Sequence, residues 1–189
     1  MKLILSSAGS YPRIGDTSDK QVLRKTISQW EKGEKSAEDL AAAQEQMTRW
    51  AISEQVEAGL ELVTDGLIRW YDPLSHIAGK LQGIKINGLL RFFDTNSYYR
   101  QPVVNDIITR KQSILVEDYL FARSVSSKPV KVVVTGPYTL AKHTIVEDDR
   151  YRKFEKLVED YTSVIAEEIR ALVSAGAEIV HVDEPAILK

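Results

Sequence analysis

Apolar residues follow two different periods along this chain. Short, uniformly apolar runs alternate with longer stretches in which apolar residues recur every three or four positions. Leu3-Ile4-Leu5 reads as a short buried strand. A second strand is expected at residues 61–65, closing at Gly66. Residues 130–134 (VKVVV) form the clearest strand, and their β-branched run suits a parallel strand buried on both faces. Helical spacing predicts a helix over residues 20–30, with Gly33 just beyond it. Ser36 reads as the next N-cap, with Asp39 completing a capping-box variant. Leu40, Ala43, Met47, Trp50 and Ala51 then repeat with helical spacing until the C-terminal cap at Gly59. A short helix is expected over 73–80 and another over 116–124. Phe154, Leu157, Val158, Tyr161, Ile165, Ile169 and Leu172 form one stripe on a helix from about 150 to 175, capped by Gly176. Residues 83–93 stay open between helix and strand, with Asn87-Gly88 as a hairpin signal, and residues 102–109 hold a strand.

About five strands alternating with helices predict an α/β fold built on a parallel sheet. With 189 residues, the chain is shorter than the roughly 250 of a closed eight-stranded barrel. The expected architecture is therefore a partial TIM (β/α)8 barrel of about five βα units, in one domain over residues 1–189. Such an open barrel exposes unpaired strand edges and apolar faces, so it calls for a covering partner.

Composition narrows the function classes. Hydrophobic residues make up 43% and charged residues 28%, ordinary for a globular protein. A formal net charge of -2 gives no basic excess for nucleic acid. There is no cysteine, so this chain offers neither disulfides nor thiolate metal ligands. The start is too short in apolar residues for a signal peptide and nothing later approaches a membrane span, which makes the cytoplasm the default location.

Candidate chemistry gathers where strands end. The last apolar run, residues 179–182, delivers Asp183-Glu184-Pro185. Neighbouring strand residues point to opposite faces, so one acid is expected to face a ligand and the other to tie down a loop. A carboxylate there suits a substrate ammonium group or acid–base work. Thr135-Gly136-Pro137 ends the clearest strand and lets a ligand approach the backbone. The loop Ser10-Tyr11-Pro12-Arg13-Ile14-Gly15 offers backbone amides for an anion, and a solvated loop is an equal reading. Trp70 and Tyr71 read first as core packing. His76, His143 and His181 lack ligand-like spacing; His181, two residues before Asp183 on the same face, is the histidine nearest a site.

Taken in order, Gly9 to Gly15, Ala58-Gly59-Leu60, Asp65-Gly66, Trp70-Tyr71-Asp72, Asp94-Thr95-Asn96 with Tyr99 and Pro102, Thr135-Gly136-Pro137 and Val182 to Ala186 resemble the cobalamin-independent methionine synthase family. The motifs combine features of that family's two related barrels, and lean toward the amino-terminal one. The resemblance implies a methyltransferase of methionine biosynthesis. A methyl group would pass from methyltetrahydrofolate, or a methylcorrinoid, to the homocysteine thiol. By the same resemblance, Gly9, Ser10, Asp65, Asp183 and Glu184 are substrate-binding candidates. Lys20, Arg24, Lys25, Arg91, Asn96 and His143 are folate-binding candidates. Leu67 stands where the catalytic barrel has a glutamate, and His143 stands where it has a folate-stacking tryptophan. The family's zinc ligands, cysteines among them, follow the Asp-Glu-Pro motif. Zinc is therefore expected in a missing half or a partner, with no cofactor bound by this chain alone. The chain by itself is expected to be inactive, working with a second half barrel, a catalytic subunit or a second copy. The alternative is a non-catalytic folate-binding or scaffolding half barrel.

Overall fold

The structure, a computed structural model, describes residues 3–13, 15, 17–93 and 95–188. Ile14 and Asp94, quoted in motifs above, lie outside the described residues. The chain packs into two compact units. One comprises residues up to 69 together with 118–132, and the other residues 70–117 together with those from 133 on.

In the first unit, α1 (Val22–Glu31) and α2 (Ala37–Glu57) pack through Leu23, Leu40, Ala43, Met47 and Ala51, with Ile68 completing the cluster. The expected capping box is present. The Asp39 N–H donates to Ser36 Oγ at 3.1 Å, and the Ser36 N–H donates to Asp39 Oδ2 at 3.0 Å. Parallel bridges join Ser6 to Leu62 and Val63 to Val130. The first predicted strand is thus reduced to a single bridge, and Leu3, Ile4 and Leu5 are exposed rather than buried. The Leu5 carbonyl accepts from the Glu61 and Leu62 N–H groups, while the three side chains stay mostly exposed.

The second unit contains α3 (Ser75–Ala78), β1 (Gln82–Arg91) and β2 (Tyr98–Thr109). The α4 helix (Val116–Val125) and β3 (Lys131–Thr135) cross the unit boundaries. Then come α5 (Pro137–Lys142), β4 (Ile145–Val146), α6 (Phe154–Ser174) and β5 (Ile179–Asp183). One sheet has the order β1-β2-β4, antiparallel between β1 and β2 and parallel between β2 and β4; a second pairs β3 with β5. The fold is α/β with mixed sheets rather than uniformly parallel. The difference comes from residues 82–109, which fold back as a long hairpin.

Asn87-Gly88 is not that hairpin's turn. The reversal lies at residues 92–97, and Asn87-Gly88 falls inside β1, where the register shifts between Ile86 and Leu89. A bulge absorbs extra residues without ending a strand, and a flexible Asn-Gly pair serves that purpose as well as a turn. The predicted last helix also divides, into a short turn at Asp149–Tyr151 and α6. The stripe on α6 is buried as expected at Leu157, Tyr161, Ile165 and Leu172. Glu168 lies within it, fully buried, and accepts from Arg110 Nε at 2.7 Å, the Ile114 N–H at 2.9 Å and the Leu115 N–H at 2.7 Å. A buried carboxylate is tolerated there because three donors replace water.

Candidate functional site

In the first unit, a buried polar network holds the loop that carries Gly9 and Ser10. Thr64 Oγ1 donates to the Gly9 carbonyl at 2.8 Å, and Gln55 brackets the Thr64 backbone through both its amide nitrogen and its oxygen. Lys131 Nζ donates to the Ser7 carbonyl at 2.6 Å, and burial pulls its ammonium pKa down. Gly9 is buried and Ser10 is exposed at the loop surface.

The strand expected at residues 61–65 is reduced to isolated bridges at Leu62 and Val63, and Asp65 follows them. The turn after it uses Gly66 at φ +72°, and the Tyr11 N–H donates to the Gly66 carbonyl at 2.9 Å. A Cβ on Gly66 would fall 2.7 Å from Tyr11 Cβ, so both backbone angle and space demand glycine. Leu67 also takes a positive φ of 52°, a conformation that costs a branched side chain free energy. Its N–H donates to Asp65 Oδ1 at 3.0 Å. Burial pushes the Asp65 carboxyl up to about 6. The Leu67 N–H and Arg69 pull it down, and the charge on Asp118 adds to the rise. Arg69 binds Asp118 at 3.0 Å and reaches Glu45 at 3.8 Å.

The basic candidates of this unit divide. Lys20 is already engaged, 2.8 Å from Glu54 Oε1 and 3.8 Å over the Trp50 ring, which leaves its charge largely answered. Arg24 and Lys25 are exposed on α1.

In the second unit, the two acids after β5 have different surroundings. Asp183 is exposed. Glu184 is turned inward: Oε1 accepts from the Tyr138 N–H at 2.9 Å, and Oε2 accepts from the Thr139 N–H at 2.7 Å and the Thr139 hydroxyl at 2.6 Å. Both Glu184 oxygens are thus engaged by the first turn of α5. That helix follows Gly136 directly and was not anticipated from the sequence. His181 is half-buried, and its Nδ1 has no hydrogen-bond partner among the described residues.

His143 ends α5 inside an aromatic cluster, with ring centroids of Phe92, Phe93 and Tyr99 at 5.1, 5.1 and 5.3 Å. Burial, aided by Lys142, keeps its pKa below the usual histidine value. Trp70 is a core residue as expected, stacked on His76 at 4.9 Å. Tyr71 is exposed, with the Arg100 guanidinium 4.6 Å over its ring.

The hairpin adds a basic residue that sequence reasoning missed. Arg91 pairs with Tyr98, and Leu89 pairs with Arg100, so these four share one face. Arg91 and Arg100 are diagonal neighbours there, about 7–8 Å apart at their backbones. Only the hairpin register reveals that proximity. Asn96 lies exposed on the turn.

Among the described residues, no group of three or more His, Asp or Glu side chains could hold one metal ion. The described residues assemble no site of the kind the implied zinc would need, and the sequence holds no cysteine. No described helix is long and apolar enough to cross a membrane.

Comparison with known proteins agrees with the order of the motifs. The family described as cobalamin-independent synthase, catalytic domain, matches residues 3–189. The match is thus to the catalytic domain, where the motifs by themselves leaned toward the amino-terminal barrel. Methionine synthases of Saccharolobus solfataricus and Sulfurisphaera tokodaii are 36% and 37% identical over 180 residues, 95% of this chain and 52% and 51% of theirs. A B12-independent methionine synthase from Shewanella sp. W3-18-1, solved with selenomethionine, superposes with a TM-score of 0.76 at 25% identity, over 97% of this chain and 52% of that one. The fold is also shared with a putative vitamin-B12 independent methionine synthase from Listeria monocytogenes, at a TM-score of 0.74 and 19% identity. The chain spans about half the length of the relatives it matches. On a match that runs from residue 3 to residue 189, this chain belongs to the cobalamin-independent methionine synthase family.

Proposed function

We propose that this chain is the amino-acid-binding part of a methionine-synthase-type methyltransferase, built as an open (β/α) barrel of about five units. Asp183 pairs with the ammonium group of homocysteine or methionine. The reaction it serves breaks a methyl bond in the donor, methyltetrahydrofolate or a methylcorrinoid, and forms the sulfur–methyl bond of methionine. Thiol activation is outside what these residues supply, so the chain needs a complementary half and does not turn over by itself. The loop at Gly9 and Ser10 carries a separate assignment, an anion on backbone amides.

The observation that carries the reading is the exposed Asp183 carboxylate at the C-terminal end of β5, where parallel α/β folds place their chemistry, in a chain matched to the catalytic domain from end to end. The exposed apolar residues of the N-terminal segment and of β5 support a missing neighbour: Leu3, Ile4, Leu5, Ile179 and Val182 are all exposed.

Calorimetric titration of the chain with L-methionine, wild type against Asp183→Asn, tests the binding role. Loss of about tenfold or more in affinity is expected, the scale of a charge-assisted hydrogen bond. Equal affinities would overturn it. Methyl transfer on mixing with a zinc-bearing second half, absent from either alone, tests the division of labour. The scaffold reading predicts donor binding without turnover in the same mixture.

A further inference from the structure

We propose that Glu184 is a positioning residue that fixes the direction of the Asp183 carboxylate; this rests on the reading of Asp183 as the ammonium-binding group. Residues 183–186 are stitched to residues 136–139. The Gly136 N–H donates to the Asp183 carbonyl at 2.8 Å. The next residue, Glu184, accepts from the Tyr138 and Thr139 N–H groups and from the Thr139 hydroxyl. Two residues further, the Ala186 N–H donates back to Thr139 Oγ1 at 3.3 Å. Thr139 and Ala186 are buried, and the bonds to Glu184 are partly buried.

Gly136 makes the arrangement possible. A Cβ at that position would coincide with the Glu184 carboxyl group, so the side chain lies where only glycine leaves room. Glu184, the first residue beyond β5, is anchored inward, and its bonds together with the Gly136 N–H on the Asp183 carbonyl hold the backbone from which the exposed Asp183 side chain projects. Carbonyl and side chain together leave the Asp183 backbone little freedom. A carboxylate whose direction is set before the ligand arrives loses less conformational entropy on binding and distinguishes a cation by geometry as well as by charge.

Two measurements test this in the intact chain. The first compares binding of L-methionine with that of 4-methylthiobutanoate, which has the same side chain and carboxylate and no ammonium group. Wild type is expected to prefer methionine by about tenfold or more. Asp183→Asn should abolish the preference. Glu184→Gln and Gly136→Ala should each reduce it at least threefold, although neither touches the Asp183 side chain. A role confined to stability would lower both affinities together and leave their ratio unchanged. That result, or a full preference in Glu184→Gln, overturns the proposal.

The second measurement is hydrogen exchange. In Glu184→Gln, exchange should accelerate at Gly136, Tyr138, Thr139 and Ala186, and stay at wild-type rates in α6. Unchanged exchange at Gly136, or acceleration throughout the second unit, also overturns it. If wild type shows no preference for methionine, the ammonium reading of Asp183 falls, and with it the ligand half of the proposal. The exchange pattern then still decides whether Glu184 orders the Asp183 backbone.

Discussion

Replacing Asp65 by asparagine should stabilise the protein at neutral pH and leave it unchanged in acid. The carboxyl of Asp65 titrates at about 6 when folded, against 3.8 when free. The folded state therefore holds this proton more tightly than the unfolded chain does. Between those two pH values, ionisation favours unfolding. The stabilising contribution is complete below about pH 4 and is lost as the pH rises through about 6. At about 1.4 kcal/mol per pKa unit, the shift corresponds to about 3 kcal/mol. Asp65 is partly reached by solvent, which reduces the figure to about 2 kcal/mol. Asparagine keeps an oxygen for the Leu67 N–H and removes the charge that Asp118 repels. Urea unfolding followed by circular dichroism at pH 4, 5, 6 and 7.5 measures the difference between variant and wild type. Taking that difference cancels the other carboxylates. The variant should gain about 2 kcal/mol at pH 7.5, equivalent to about 4–8 °C in Tm for a chain of this size. A variant less stable than wild type at pH 7.5, or a difference flat from pH 4 to 7.5, would show that Asp65 is not held against its charge.

Removing the Glu168 carboxylate by Glu168→Ala strands the Arg110 guanidinium and two buried amides, and should cost about 3–5 kcal/mol in the same unfolding assay. Gly66→Ala meets a φ of +72° and the Tyr11 Cβ together, and should lower stability by about 2 kcal/mol or more. Ser36→Ala opens the capping box of α2 and should cost about 1 kcal/mol, read as a fall in Tm. If the hairpin face holds a folate tail, Arg91→Ala and Arg100→Ala should each weaken binding of methyltetrahydrofolate tetraglutamate severalfold in fluorescence titration. Lys20→Ala should leave it unchanged, because that charge already faces Glu54. The reverse ranking would return the tail to the first unit.

The elements that could be read directly from the sequence are those whose cause lies within four or five residues. Ser36 and Asp39 bond to each other across one helical turn, so the start of α2 was legible as a pattern. The stripe on α6 and the β-branched run of β3 carry their own period. The motif order, ending in Asp183-Glu184-Pro185, was enough to indicate the family. Other features depend on partners far away in the chain. Asn87-Gly88 is a good turn by local rules, yet the pairing of β1 with β2 makes it a bulge. Glu168 resembles any solvated acid on a helix until Arg110 and the 114–115 backbone surround it. Asp65 acquires its raised pKa from burial and from Asp118, 53 positions later. Asp183 and Glu184 are chemically near-equal neighbours, and sequence could say only that they face opposite ways. Tertiary structure gave them different surroundings, because α5 begins where its amides can take the Glu184 carboxylate, and Gly136 leaves that side chain room to lie down.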